Sequence, residues 1–327
     1  MLLYKTLKRS LKSLAREVLG KIFRKITSEK LINNSLTVFC YHDVSSNPSE
    51  FNHRFDLNIP PNIFEYQIEF INKNFNIISP DDLLTDNIPA RAALITFDDG
   101  FRSYFKNAVP ILEKYNSPSI IFLNMAPIKG EIFWSGLITY LCEKSTEFYQ
   151  YLSNNTKIDL KKKPLFLYCS REIVNSYLEL KGKTFKNEVD KYVGEFLTLQ
   201  DLELISSNKL VFFGNHLYNH DVPLLLSDNE LIESYLKNEG KLKKYPNHRC
   251  LFAFPFGQPN TCFSSQQIDL LVENGAMKVF SSYPALNPDF SIPYLHRISL
   301  DSNDKCKARL WFNILYRSLI MNNNKAF

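Results

Sequence analysis

No stretch of this 327-residue chain approaches the run of ~20 apolar residues that crosses a bilayer as a helix. Its beginning also lacks the uninterrupted apolar core, about 7–15 residues long, of a secretory signal. The six cysteines (Cys40, Cys142, Cys169, Cys250, Cys262 and Cys306) have no close pairing and no metal-type spacing. With no signal to export the chain, they read as free thiols in a reducing compartment, and the expected location is the cytoplasm. There is no internal repeat and no long disordered tract. Lys and Arg are not interleaved with any recognisable nucleic-acid module, which sets nucleic acid aside as a partner.

Charge is unevenly spread. Residues 1–30 hold nine Lys or Arg against Glu17 and Glu29, a net of +7; the whole chain is +5, which leaves −2 for everything after residue 30. On a helix, Leu3, Leu7, Leu11, Leu14, Val18 and Ile22 form one stripe, and Lys5, Lys8, Lys12, Arg16 and Lys21 fall largely outside it. Such a basic amphipathic helix either lies on an anionic membrane surface, here the inner face, or docks on the body of the protein or a partner.

The chemistry gathers where apolar runs end. Ala93-Leu94-Ile95 runs into Thr96-Phe97-Asp98-Asp99-Gly100, and Leu210-Val211-Phe212-Phe213 precedes His216-Leu217-Tyr218-Asn219-His220. Cys250 to Phe254 leads into Pro255-Phe256-Gly257, and Leu36 to Tyr41 ends in His42-Asp43. Polar groups at the carboxyl ends of several buried strands are how a parallel α/β sheet or barrel builds an active site. One carboxylate and two imidazoles make a facial set for a divalent metal, and a second carboxylate beside it is free to take a proton. Each group alone is commonplace: Asp-Asp-Gly is often a turn, and two His four apart often sit on a solvated face. Their conjunction carries the reading.

In this order the motifs Tyr41-His42-Asp43-Val44, Thr96 to Gly100, His216/His220 and Phe254 to Gly257 resemble the polysaccharide deacetylase family, carbohydrate esterase family four. The resemblance covers roughly residues 36–300. It implies an α/β fold, a distorted and incomplete (β/α) barrel, and hydrolysis of sugar acetyl groups, usually N-acetyl. It makes Asp98 the general base, and Asp99, His216 and His220 the metal ligands. The turn Pro255-Phe256-Gly257 would hold the oxyanion. The ligand set suits Zn²⁺, with Co²⁺, Ni²⁺ or Fe²⁺ as alternatives. Two residues compete as general acid. His42 matches the Tyr-His segment of a branch resembling poly-N-acetylglucosamine deacetylases and is preferred; His296, in Tyr294-Leu295-His296-Arg297-Ile298, lacks the usual Leu-x-His spacing. Two departures stand out. Leu217 occupies a position usually held by Ser or Thr, removing one loop-bracing hydrogen bond. Ala253 occupies the position of an Arg that tunes the base in many members. His53 and His248 match no motif and are expected at the surface.

Residues 31–320 are expected to form the barrel, with residues 321–327 a frayed tail. Helix signals between the strands include Asn62–Ile71, Ser227–Leu236 with Ser227 and Glu230 as a capping box, and Gln266–Asn274 ended by Gly275. A stripe of Trp311, Phe312, Ile314, Leu315, Leu319 and Ile320 predicts a closing helix. About residues 130–197 the chain is longer than a compact family member needs, and it reads as a helical insertion over the active-site face: a lid and specificity element, or a peripheral decoration. Trp134 at its root is a candidate for stacking on a sugar ring, or else core. The expected substrate is an acetylated sugar, a lipid-linked glycan or a nascent polysaccharide of surface-glycan synthesis. A hydrolase of another amide or formyl group, and a non-catalytic glycan-binding protein, are the competing readings; an intact Asp98 argues against the second.

Overall fold

The computed structural model describes residues 29–321, with Asp86, Lys162 and Lys163 excepted. Residues 1–28 of the basic segment 1–30, and residues 322–327 of the tail expected at 321–327, therefore lie outside the described residues. Among the described residues no helix is long and apolar enough to cross a membrane.

Nine strands form one sheet: β1 (Thr37–Tyr41), β4 (Asn76–Ile77), β5 (Ala92–Phe97), β6 (Ser119–Leu123), β7 (Val211–Asn215), β8 (His248–Ala253), β9 (Lys278–Phe280), β10 (Tyr294–Leu295) and β11 (Ile298–Ser299). The order is β10-β9-β8-β7-β6-β5-β1-β11, with β4 also on β5, and every ladder is parallel. A small pair, β2 (Asp43–Val44) and β3 (Asn58–Ile59), stands apart. Parallel strands need crossover helices, which cover the sheet and leave its strands buried on both faces. That is why β1, β5 and β6 read as continuous apolar runs and are buried throughout.

Alternate residues divide between two cores. Phe39, Ile95, Phe97, Ile121 and Phe213 pack outward against helices that include Pro61–Asn74, Leu199–Ile205 and Lys307–Met321. Val38, Leu94, Ile120, Phe122 and Phe212 belong to a separate inner cluster with Leu251, Ala253 and Phe280. The closing helix seats Trp311 edge-on to Phe70, ring centroids 5.2 Å apart.

The sheet curls until its ends nearly meet. β10 and β11 are its two terminal strands, yet only His296 and Arg297 separate them in the chain. Three Cα–Cα steps of 3.8 Å span at most about 11 Å, so the edges lie within about two strand spacings with no ladder joining them among the described residues. This is the incomplete α/β barrel that the sequence predicts.

Between β6 and β7 the chain forms helices Met125–Ile128, Trp134–Lys144, Thr146–Asn155, Arg171–Lys181 and Lys186–Val193, with a 3₁₀ turn at Leu165–Tyr168, before Leu199–Ile205. The four from Trp134 to Val193 build a hydrophobic cluster of their own around Leu141, Phe148, Leu152, Val174 and Tyr177, joined by Phe51 and Phe101 of the barrel.

Candidate active site

β5 delivers Asp98 and Asp99 into a tight turn. Asp98 N–H donates to the Tyr41 carbonyl (3.0 Å) and Gly100 N–H to the Asp98 carbonyl (2.9 Å). Asp99 and Gly100 both take positive φ, 71° and 88°; Asp is among the few side chains that tolerate this, and glycine follows without steric cost. β7 ends at Asn215, and the next loop carries two more left-handed residues, Leu217 (φ 61°) and His220 (φ 58°).

The three ligand candidates converge. Asp99 Oδ1 lies 3.1 Å from His220 Nε2 and 3.4 Å from His216 Nε2, and all three side chains are buried. The far side of each ring fixes its tautomer. His216 Nδ1 stands 2.7 Å from the Ala253 carbonyl, which can only accept, so the ring proton sits on Nδ1. Ser135 Oγ donates to the His220 carbonyl and accepts from His220 Nδ1. Both Nε2 lone pairs therefore face Asp99 Oδ1, a buried oxygen with no hydrogen-bond donor. Lone pairs opposed at this range repel unless a cation stands among them, so the trio fits a divalent metal.

Asp98 stands beside this trio and holds a partner that sequence reasoning missed. Arg297 is 1% exposed and makes a two-pronged pair with it, Nη1 to Oδ1 and Nη2 to Oδ2, each 2.7 Å. Its Nε donates to the Ser281 carbonyl (3.0 Å) and Nη1 also reaches Thr96 Oγ1 (3.3 Å). An arginine thus meets Asp98, the candidate base, although Ala253 fills the position where the family resemblance expects one; it comes from the two-residue link between β10 and β11. Burial raises Asp98, and the Arg297 guanidinium more than reverses this, so the carboxyl lies below its ordinary value. The Cys40 thiol donates to Asp98 Oδ2 (3.6 Å) and burial pushes its own pKa up, so it stays a neutral thiol.

The Leu217 position loses no bracing. Leu217 N–H donates to Asn215 Oδ1 (3.0 Å), Asn124 Nδ2 donates to the carbonyls of His216 and Leu217, and Asn238 Nδ2 donates to Asn215 Oδ1 (2.8 Å). Three fully buried asparagines replace the missing hydroxyl.

His42 and His296 have different surroundings. His42 Nε2 is 3.9 Å from Asp98 Oδ2, and the ring lines the cavity that also holds the trio. Burial lowers its pKa, while the Asp99 and Asp98 carboxylates pull the other way. His296 is not among the residues lining that cavity: its Nδ1 meets Ser281 Oγ (3.1 Å), and its ring lies between Tyr283 and Tyr294. Burial holds it down at about 4.

The cavity measures about 450 Å³, with the charged groups as its floor. Its walls are apolar and come partly from the insertion, through Thr139, Pro164, Phe166 and Leu167. Phe166 lies between Phe55 (5.7 Å) and Phe256 (5.4 Å), and Phe256 packs edge-on to His220 (4.8 Å). Phe256 and Gly257 share a left-handed turn (φ 61° and 62°); a Cβ on Gly257 would stand 2.6 Å from the Ser282 backbone nitrogen. Trp134 is buried, with the Arg171 guanidinium 4.2 Å above its ring, and lines a second cavity of about 200 Å³ on the other side of His220. His53 is exposed, as expected; His248 is not, its side chain being only 7% exposed against Glu239, a tertiary partner no local pattern announces.

No family model matches the chain. In sequence it is 31% identical over 94 residues to a Bacillus subtilis (strain 168) protein named "Putative polysaccharide deacetylase YxkH"; the match covers 27% of this chain and 31% of that protein. The chain thus spans about a third of that relative's length. In fold it is similar to IcaB from Ammonifex degensii (TM-score 0.57, 18% identity, 85% of this chain and 97% of that one). It is also similar to the Streptococcus pyogenes deacetylase PplD (0.56, 16% identity, 86% and 98%) and to a de-N-acetylase from Aggregatibacter actinomycetemcomitans (0.54, 16% identity, 85% and 99%). The likeness to the polysaccharide deacetylases read from the motifs thus recurs in both the sequence and the fold comparisons.

Proposed function

We propose, from a fold and motifs that are those of polysaccharide deacetylases, that this chain is a metal-dependent hydrolase removing acetyl groups, N-acetyl above all, from a sugar or glycan precursor of surface-polysaccharide synthesis. The observation that carries this is the convergence of Asp99, His216 and His220 on one orphaned oxygen, beside an Asp98 held by Arg297, on the floor of one cavity. A divalent ion held by that trio, Zn²⁺ by its N₂O donor set, supplies Lewis acidity and lowers the pKa of water from ~16 toward ~7.

The residues divide the remaining work. Asp98 accepts the proton as water adds to the acetyl carbonyl; its pair with Arg297 occupies one lone pair on each oxygen and leaves the others open. His42, across the same cavity, donates to the departing amine, the role for which its place beside Asp98 favours it over His296. The Phe256 turn supports the oxyanion. The aromatic row Phe55-Phe166-Phe256 roofs the floor, so the insertion acts as a specificity element that admits a sugar terminus or a short, lipid-linked acceptor. The basic segment 1–30 would keep the enzyme peripheral to the inner membrane face, in the compartment where such precursors are made.

The test is acetate release from a panel of N- and O-acetylated sugars, oligosaccharides and lipid-linked glycans, with metal-stripped and Zn²⁺- or Co²⁺-reloaded protein. Release that needs metal and falls by 10²-fold or more in Asp98→Asn, which still binds metal, supports the reading. Full activity in Asp98→Asn would refute this mechanism; no release from any acetylated substrate by metal-replete protein would refute the deacetylase.

A further inference from the structure

A second group of metal-ligating side chains lies outside the catalytic cavity. Glu239 sits on the helix Asp228–Leu242, which covers β7 and β8, and His248 and Cys250 sit on β8. One atom from each, a carboxylate oxygen, an imidazole nitrogen and the thiol sulfur, lies within 4.8 Å of the other two. Glu239 Oε1 is 3.1 Å from His248 Nε2, with the two side chains 4% and 7% exposed. Glu239 Oε2 is already used, accepting from Asn215 Nδ2 at 2.9 Å. Glu239 Oε1 and His248 Nε2 are both buried with no hydrogen-bond partner.

This repeats the signature of the catalytic trio, where the orphaned Asp99 Oδ1 faces imidazole Nε2 atoms at 3.1 and 3.4 Å. A second observation points to the same place. The β7–β8 ladder pairs Phe213 with His248 and Asn215 with Phe252, so its register slips across the segment that carries Cys250. A bulge re-aims side chains relative to a regular strand. Cys250 is half-buried, which leaves a solvent side from which water could complete four-coordination.

We propose that Glu239, His248 and Cys250 form a second, structural site for a divalent cation, Zn²⁺ by its donor set of oxygen, nitrogen and sulfur. Binding forms one bond to each donor and releases the thiol proton. The ion pins the covering helix to β8. Through Asn215, the residue before His216, it also steadies the loop that carries the catalytic ligands. The site is independent of the deacetylase reading and stands or falls separately.

The experiment uses the metal-stripped full chain titrated with Co²⁺, reading bound metal by elemental analysis and thiolate-to-Co²⁺ charge transfer by near-ultraviolet absorption. The catalytic trio contains no sulfur, and Cys250→Ser separates a band of the second site from one involving Cys40, which lies with His42 and Asp98. The expected result is two equivalents bound and a band. Cys250→Ser and His248→Gln should each lose the band and one equivalent. Asp99→Ala should lose the other equivalent and keep the band. One equivalent with no band in the unaltered protein overturns the proposal, as does a band that survives Cys250→Ser. The titration of the unaltered chain decides the matter even if a variant fails to fold.

Discussion

Replacing Arg297 by Met keeps most of the side chain's length and removes its charge. Asp98, 3% exposed, then loses both 2.7 Å hydrogen bonds, and the Ser281 carbonyl and Thr96 hydroxyl lose a donor. Breaking one side of a buried pair costs about 3–5 kcal/mol, because the surviving charge is left without compensation. That is a large share of the roughly 5–15 kcal/mol by which domains are stable. At about 2–4 °C per kcal/mol for a domain of this size, the melting temperature should fall by roughly 6–20 °C. Arg297→Lys keeps a charge without the planar fork and should fall between. The decisive comparison is Asp98→Asn with Arg297→Met: removing both charges should recover much of the loss, giving a favourable coupling above about 1 kcal/mol in a double-mutant cycle. In the surviving fraction of Arg297→Met, the acid limb of the pH–rate profile should move to higher pH, since the guanidinium that holds Asp98 down is gone. Urea denaturation of the four proteins tests this. An Arg297→Met protein as stable as its parent, with a zero coupling, would refute the reasoning.

Three further outcomes are expected. Ser135→Ala removes the partner of His220 Nδ1 and should weaken metal affinity about 10–100-fold in a chelator competition; unchanged affinity would show that Ser135 does not orient the ring. Asp304 is buried and, with Asp301 adding to the effect of burial, is pushed up to about 6. The native state therefore holds this proton more tightly than the unfolded chain, and its contribution is lost as pH rises from about 4 through about 6. Asp304→Asn should thus gain stability relative to the parent at pH 7 over pH 4.5 by about 2 kcal/mol, and equal differences at the two pH values would contradict the shift. Removing residues 1–30 should abolish binding to anionic vesicles while sparing acetate release; undiminished vesicle binding would refute the membrane role of that segment.

Much of the site was legible because its residues follow apolar runs in the chain. Asp98, Asp99, His216 and His220 each come just after a strand, and strand ends on one sheet face must lie together. Helices announced by capping boxes were legible for a related reason: Ser227 with Glu230 and Ser264 with Gln267 act within one turn. Partners far apart in the chain were not. Arg297 meets Asp98 across 199 residues, and Ser135 meets His220 across 85, each from a segment whose local pattern carries no trace of the other. His248 was assigned to the surface for the same reason, since Glu239 supplies its burial and no periodicity relates the two. The missing Arg at Ala253 and the missing hydroxyl at Leu217 were read as losses because motif comparison sees positions, whereas Arg297 and the buried asparagines supply equivalent contacts from elsewhere.

The closure of the barrel by His296-Arg297 has a consequence for how the chain acquires its structure. β1, β5, β6 and β7 can associate as soon as they are synthesised, but the carboxylate of Asp98 would then be enclosed without its counter-charge. Only when β11 docks beside β1, some 260 residues later, does the guanidinium arrive. Assembly of the Asp98–Arg297 pair is thereby made conditional on the chain having been made as far as residue 297. A ribosome-bound or prematurely terminated chain that stops before residue 297 should remain loosely packed around Asp98 and open to proteases. The same ion pair that holds Asp98 thus reports that β11 has docked beside β1.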